Sequence, residues 1–437
     1  MKQLYICDLA FEESVWLLCW ISNRRVLKNV IFLDIYDSTG SLQAVASKEQ
    51  CQNFQELSKI TCESAVELFG KLNSQGDFVI ETYKILAPAT LVLSPSPNKN
   101  GFHILDKKYE RQIIEHPTFY IRNHQLKTLY YIKAIFKREL QDYLWNQKFI
   151  EFEAPTLTKQ TLYDDSGAIW LDINQQNISL SRCATFHLEP AVVAYEKVFT
   201  ITNSHANEKA KTNRHLIEYL HLKAELCWAN LDELISFAAK MYYEVANNTY
   251  IKCKKEFSLF ISEEKIQKKL NALAPENHKT ITYDEASNIL KSKGIDFEYG
   301  KSLTSKHEEI LTSHFNNCFL WIKYIPYTVE GFMFKRKADN CYLTMTCDLI
   351  APNGFGEILG CAEKITDYDE LIQSMKEKGK WKDYHRYQDY ALLHQYGLPP
   401  HGGIGMGIER ALRFLLDINH VKYLKPFAVI KETQINH

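Results

Sequence analysis

Short runs of apolar and β-branched residues fill roughly the first 86 positions, and three-to-four-residue periodicities take over from about 122. Val15–Ile21 is continuously apolar, and Asn29–Asp37 is rich in β-branched and aromatic residues. The polar turn Ser38-Thr39-Gly40-Ser41 leads into Leu42–Ala46; Ala65–Leu72 and Phe78–Leu86 follow, with Gly70 and Gly76 among the breakers. Five short strands in that length predict a small closed barrel of the OB type over residues 1–90. Pro88, Pro95 and Pro97 among Ser and Asn give the next stretch a linker composition, so 91–120 is expected to be a hinge. Leu126, Leu129, Tyr130, Lys133, Phe136 and Leu140 then mark a mostly apolar helical face ending near Asn146. Phe149–Ala154 reads as extended and stops at Pro155. Residues 160–230 read as strands joined by charged loops, and 232–315 as largely helical, with Glu263–Leu273 and Asp284–Leu290 the clearest segments. Phe319–Ile325 and Tyr342–Ile350 return to strand character. Strands and helices do not alternate in βαβ order, which predicts an α+β domain over 121–437 built on a mainly antiparallel sheet.

The pattern changes period most abruptly near the C-terminus. His401-Gly402-Gly403-Ile404-Gly405-Met406-Gly407 holds four glycines in six residues, so its backbone can approach something that a Cβ would exclude. Ile408, Ala411, Leu412, Leu415 and Leu416 then form the stripe of a buried helix. The spacing is not that of a dinucleotide fingerprint, and no βαβ unit follows. A close-packed strand–helix joint accounts for the glycines. Equally, Arg410 in the first turn of that helix is well placed to meet a phosphate with its planar fork.

Composition narrows the class without choosing it. The 437 residues are 46% hydrophobic and 24% charged with a net charge of −1, so any contact with a polyanion has to be local. Eleven cysteines without a CxxC pair or a zinc-like cluster read as reduced, mostly buried thiols. The N-terminus turns acidic too early for a secretory signal, and no apolar run reaches the length of a membrane span. A soluble cytoplasmic enzyme is the expectation, with no membrane partner.

The order of these pieces resembles a class II aminoacyl-tRNA synthetase of the aspartyl/asparaginyl subgroup along essentially the whole chain. The helix with Phe149-Ile150-Glu151-Phe152-Glu153-Ala154-Pro155 is similar to the first motif, which implies a homodimer. Val198-Phe199-Thr200-Ile201 through Lys209–Tyr219 resembles the second motif, Cys347–Pro352 with Gly356–Gly360 the metal-binding segment, and the glycine stretch the third motif. Phe186-His187-Leu188-Glu189, Tyr283-Asp284-Glu285-Ala286 and His307-Glu308 look asparaginyl. The resemblance implies ATP and Mg2+: Arg410 and Arg214 with His215 on the triphosphate, Tyr219 under the adenine, and Asp348 and Glu357 on the metal. It implies tRNA as a partner, with Phe32 stacking on an anticodon base, Gln43 reading its edge, and Arg24 and Arg25 meeting phosphates.

The amino-acid end departs from the family pattern. Where the second motif reads Phe-Arg-x-Glu, this chain has His205-Ala206-Asn207-Glu208, so the Arg that meets both the α-phosphate and the substrate carboxylate is Ala206. The glutamine that holds the substrate amino group is Thr185, and the family's Gly-Ser-x-Arg is Cys361-Ala362-Glu363-Lys364. Lys364 keeps a charge but not a bidentate fork. The implied amino-acid pocket is therefore Thr185, Glu189, Ala206 and Lys364, and Cys361 beside it reads as a buried inert thiol or a nucleophile.

Three functions remain open on sequence: an asparaginyl-tRNA-synthetase-like ligase with an unusual pocket, a tRNA-independent amide-forming relative, and an ATP- or tRNA-binding pseudo-synthetase. Losing one transition-state donor costs on the order of 10²–10³ in rate. Charging of tRNA with Asn is therefore expected to be poor unless His205, Asn207 or Lys364 supplies the missing charge, and Ala206→Arg is expected to gain activity in an aminoacylation assay.

Overall fold

In a computed structural model, residues 4–91, 93–99, 101–162, 165–207 and 212–430 are described. The chain divides into two compact units, residues 1–124 and 125–437.

The first unit is a closed barrel in the order Ser14–Val26, Val30–Tyr36, Ser41–Ser47, Phe78–Ala87, Ala65–Leu72. Its strands alternate because each has one face in the core: Ile31, Leu33 and Ile35 point inward, while Phe32, Asp34 and Tyr36 line the outer face. Leu17, Ala44, Ala46, Val66, Leu68, Phe78 and Ile80 complete the interior. The segment expected to be a hinge is folded onto this unit and carries helices Lys107–Glu115 and Pro117–Tyr120. Phe102 stacks on Tyr109 and Tyr120 at 4.2 and 5.7 Å, and the Tyr120 hydroxyl donates to the Pro95 carbonyl at 2.9 Å. Glu63 accepts from Tyr36, Ser96, Asn98 and Arg122. Prolines and polar residues gave this stretch a linker's composition, but its few aromatic side chains are enough to pin it down.

The second unit is built on an eight-stranded sheet. Its order is Lys279–Thr282, Leu320–Lys323, Thr346–Ala351, Gly356–Glu363, His401–Gly407, Glu218–Cys227, Lys197–His205, Ile150–Glu151. The two outermost pairings are parallel and the five between them antiparallel. The glycine strand thus runs through the middle of the sheet, between Gly356–Glu363 and Glu218–Cys227. Helices His124–Asn146, Leu231–Lys252 and Ile408–Leu415 bury their apolar faces, and Asn230 starts the second of these with a capping box through Glu233. Among the described residues no helix is long and apolar enough to cross a membrane.

One element departs from the expected run of strands over 160–230. Thr185–Tyr195 is a helix, buried at Phe186, Leu188, Glu189, Ala191 and Val192, with Pro190 inside it. A segment packed on several sides shows no amphipathic stripe, and its apolar, β-branched content imitates a strand.

A buried ion pair ties three of these elements together. The Lys133 ammonium lies 2.5 Å from a Glu409 carboxylate oxygen and also donates to the Leu424 carbonyl at 2.9 Å. Glu409 in turn accepts from the Leu220 backbone N–H at 3.1 Å. Glu409→Ala strands the Lys133 charge in the interior, and urea unfolding is expected to show a loss of about 3–5 kcal/mol. A Lys133→Met, Glu409→Leu double variant, which removes both charges, is expected to lose less.

Candidate active site

The glycine strand shows what its missing Cβ atoms make room for. A Cβ on Gly403 would lie 2.3 Å from a Glu225 carboxylate oxygen, and one on Gly405 would lie 2.4 Å from the Lys223 ammonium. Both charged side chains come from the neighbouring strand Glu218–Cys227 and lie across bare backbone. Gly402 is closed off by the Ala362 carbonyl, which a Cβ would approach to 2.6 Å. Gly356 does the same service for a different pair: a Cβ there would meet Arg214 at 2.2 Å and Glu308 at 2.9 Å.

Above this floor lies a cavity of about 220 Å³. Its lining joins Tyr219, Asp348, Glu357, Lys364 and Arg410 of the sequence-predicted residues to Arg182, His221, Lys223, Glu225, Glu330 and Cys361. At one end, Arg410 reaches Glu357 at 3.1 Å and also donates to the Glu357 and Arg214 backbone carbonyls at 3.3 Å. Arg214 pairs with the buried Glu308 at 2.5 Å, and His215 is hydrogen-bonded to Thr212. Asp348 and Glu357 sit on adjacent strands of a hairpin turned at Asn353 and Gly354, both of positive φ. Burial pushes the Asp348 carboxyl well up, and the negative charges of Glu357, Glu330 and Glu308 add to the rise. Burial also raises Glu330, to about 7. Glu357 goes the other way: burial opposes ionisation, but Arg410 and Arg214 hold its carboxyl below the usual value. Among the described residues no group of three or more His, Cys, Asp and Glu could cage a metal. Asp348, crowded by like charge, and Glu357 on the adjacent strand suit Mg2+, which takes one or two carboxylates and completes its shell with water and substrate phosphates.

The other end is a network of buried charge. Glu189, fully buried on helix Thr185–Tyr195, accepts from the Tyr390 hydroxyl at 2.8 Å. It lies 3.4 Å from His401 and 3.7 Å from Lys364. Lys364 is equally 3.7 Å from Glu225 and stands over the Phe334 ring at 4.6 Å. One oxygen of each carboxylate, Oε1 of Glu189 and Oε2 of Glu225, is buried with no hydrogen-bond partner, and of the two residues Glu225 lines the cavity. Burial and the neighbouring Asp348 raise the Cys361 thiol far above its ordinary value, which leaves it an inert wall.

The remaining predicted residues stand apart. Thr185 is buried against Cys183, 3.0 Å from its sulfur. His205 is 7% exposed, with its ring 3.4 Å from the Ser181 carbonyl and 3.3 Å from Glu218. Ala206 donates its backbone N–H to Ile217 at 2.9 Å. None of these three, nor Arg214, His215 or Glu189, is among the described residues that line the cavity. Glu208 falls in 208–211, outside the described residues.

On the barrel, Arg25, Phe32 and Gln43 share one outer face. Arg25 stands over the Phe32 ring at 5.1 Å and donates to Gln43 at 2.7 Å. Arg24 turns away to the Ser58 carbonyl at 2.8 Å. Stacked Trp20 and Tyr36, 5.9 Å apart, and the Asn23–Asp34 hydrogen bond extend the same face. Sequence reasoning missed Tyr36, Asp34 and Trp20: Val30–Tyr36 is apolar on both faces except at Asp34, and the bulge between Ile21 and Asn23 hid the parity of Trp20.

Residues 15–88 match the OB-fold nucleic acid binding domain of the tRNA anticodon type, and residues 110–431 match the class II tRNA synthetases (D, K and N). The asparagine–tRNA ligase of Thermococcus kodakarensis is 28% identical over 432 residues, spanning 98% of each chain. That of Pyrococcus abyssi is 29% identical over 441 residues, again with 98% of each chain covered. The crystal structure of asparaginyl-tRNA synthetase from Pyrococcus horikoshii complexed with asparaginyl-adenylate superposes with a TM-score of 0.89 at 26% identity, covering 99% of both chains. With an OB-fold barrel ahead of a glycine-floored antiparallel sheet that carries paired arginines and carboxylates, the chain belongs to the class II tRNA synthetases of the D, K and N type.

Proposed function

We propose that the chain activates asparagine, or an amino acid close to it, as an aminoacyl adenylate and transfers it to tRNA. The observation that carries this reading is the division of one cavity into an Arg410–Glu357–Asp348 end suited to a metal-bound triphosphate and a Lys364–Glu225 end, with Glu189 buried behind Lys364, suited to a polar side chain. In the first step a carboxylate oxygen of the amino acid attacks the α-phosphorus, and the bond to the β-phosphate oxygen breaks with loss of pyrophosphate. In the second, a ribose hydroxyl of tRNA takes the acyl group and AMP leaves.

Positioning and charge do most of this work. Arg410 and Arg214, with His215, hold the triphosphate, and Tyr219 carries the adenine. Mg2+ held by Asp348 and Glu357 would neutralise and bend the phosphate chain. Glu189 accepts from a side-chain amide and Lys364 donates to its carbonyl; Thr185 and Ala206 line the shell behind. The pocket is altered relative to the family because Lys364 gives one point charge in place of a fork. Arg25, Phe32 and Gln43 form the anticodon-reading face, which favours tRNA over a free amine as the acceptor. A cytoplasmic home and a homodimer seated on helix His124–Asn146, where Tyr131 and Trp145 are half-exposed, complete the reading.

ATP–pyrophosphate exchange across the twenty amino acids tests it. Exchange is expected with L-asparagine and Mg2+, and Arg410→Ala is expected to slow it on the order of 10²–10³-fold. Absence of exchange with every amino acid, in protein that still binds ATP, refutes the reading. Within the pocket, Glu189→Gln is expected to raise the KM for asparagine more than about tenfold, the loss of one charge-assisted hydrogen bond. Lys364→Arg is expected to lower it.

A further inference from the structure

Position 206 lacks the guanidinium that this family places at the α-phosphate, and the three substitutes visible in the sequence do not supply it. His205 is turned to Ser181 and Glu218, Lys364 is shared between two buried carboxylates, and Asn207 is exposed. A fourth residue stands beside the gap. Arg182 lies between the strand Gln176–Leu180 and the helix Thr185–Tyr195, is half-buried, and lines the reaction cavity together with Tyr219 and Arg410. Two backbone hydrogen bonds bracket its position. His205 donates to the Ser181 carbonyl at 2.9 Å, directly before Arg182, and Asn207 donates to the Gly167 carbonyl at 3.0 Å. The Arg182 guanidinium covers that same Gly167: a Cβ there would lie 2.7–2.9 Å from three of its atoms. The side chain therefore crosses the segment that is tied down on both sides of Ala206. It is near enough to Tyr219 for its charge to act on the phenol.

We infer that Arg182 is the relocated guanidinium of this site, meeting the α-phosphate and the attacking carboxylate in place of the side chain absent at 206. The inference rests on the adenylate-forming reading. Ala206 carries only a methyl group at the end of the strand Lys197–His205, and an arginine from the adjoining segment lines the cavity across a glycine that gives it room. Its planar fork suits two oxygens of a phosphate, or one of a phosphate and one of a carboxylate. During attack of the carboxylate oxygen on phosphorus, charge grows on the non-bridging oxygens, and pyrophosphate carries away the bonding pair. A guanidinium in the cavity wall stabilises such charge.

Calorimetric titration of the full chain with AMP and with adenosine separates this contact from the overall reaction. AMP carries the α-phosphate and adenosine lacks it, while both use the adenine site, so adenosine also reports that a variant is folded. Arg182→Ala and Arg182→Gln are expected to weaken AMP on the order of 10–100-fold, the effect of losing a charge-assisted hydrogen bond, and to leave adenosine unchanged. Adding Ala206→Arg to Arg182→Ala is expected to restore AMP binding. AMP affinity unchanged in both single variants overturns the inference, as does an equal loss for adenosine. A loss that Ala206→Arg fails to recover also overturns the exchange of roles. These binding arms do not depend on which amino acid is activated: failure of pyrophosphate exchange alone would strike the functional reading and leave the Arg182 contact to be judged by AMP.

Discussion

Two charged side chains lying across bare backbone set the form of the catalytic unit. Glu225 and Lys223 fold over Gly403 and Gly405 at distances that a single Cβ would occupy. Because those glycines sit on the central strand, opposite Gly356–Glu363, the charges are held between two neighbouring strands, away from the sheet edge. The cavity above them is lined by four cations, Arg182, Lys223, Lys364 and Arg410, and four carboxylates, Glu225, Glu330, Asp348 and Glu357. Buried charge on this scale is costly unless paired. The pairing is incomplete at Glu189 and Glu225, and like charges crowd around Asp348. Such stored electrostatic cost is what a charged substrate and a cation can relieve.

The two ends of the site differ in how they are built. At the Arg410 end, arginines hold carboxylates and backbone carbonyls, the kind of contact a phosphate oxygen also makes with a guanidinium. At the other end, Lys364 is divided between Glu189 and Glu225, and Tyr390 and His401 close the back of Glu189. The first end is open to exchange of partners. The second is a fixed frame that selects by what it leaves unsatisfied.

Much of this was legible in the sequence where one period ran unbroken. The β-branched and aromatic run over Asn29–Asp37 marked a barrel strand, and the change from glycines to a 3.6-residue stripe at Ile408 marked the strand–helix joint. Helix Thr185–Tyr195 was missed because a segment buried on several sides has no period to read. Lys223 and Glu225 read only as strand residues, since their role depends on which strand lies beside them. Arg182 gave no signal of its own. It belongs to no spaced motif, and its meaning comes from a hydrogen bond at Ser181–His205 and another at Gly167–Asn207, both long-range facts. Sequence spacing locates residues that act along one element; those that arrive from a different segment are visible only after folding.

The Lys133–Glu409 pair has a mechanical reach that its stability does not convey. Glu409 is the immediate neighbour of Arg410, and its carboxylate is clamped by an ammonium 276 residues away on helix His124–Asn146. The same carboxylate grips the start of the Glu218–Cys227 strand at Leu220, next to Tyr219. A tilt of the long helix would therefore act as a lever with a short arm at the arginine and the tyrosine together.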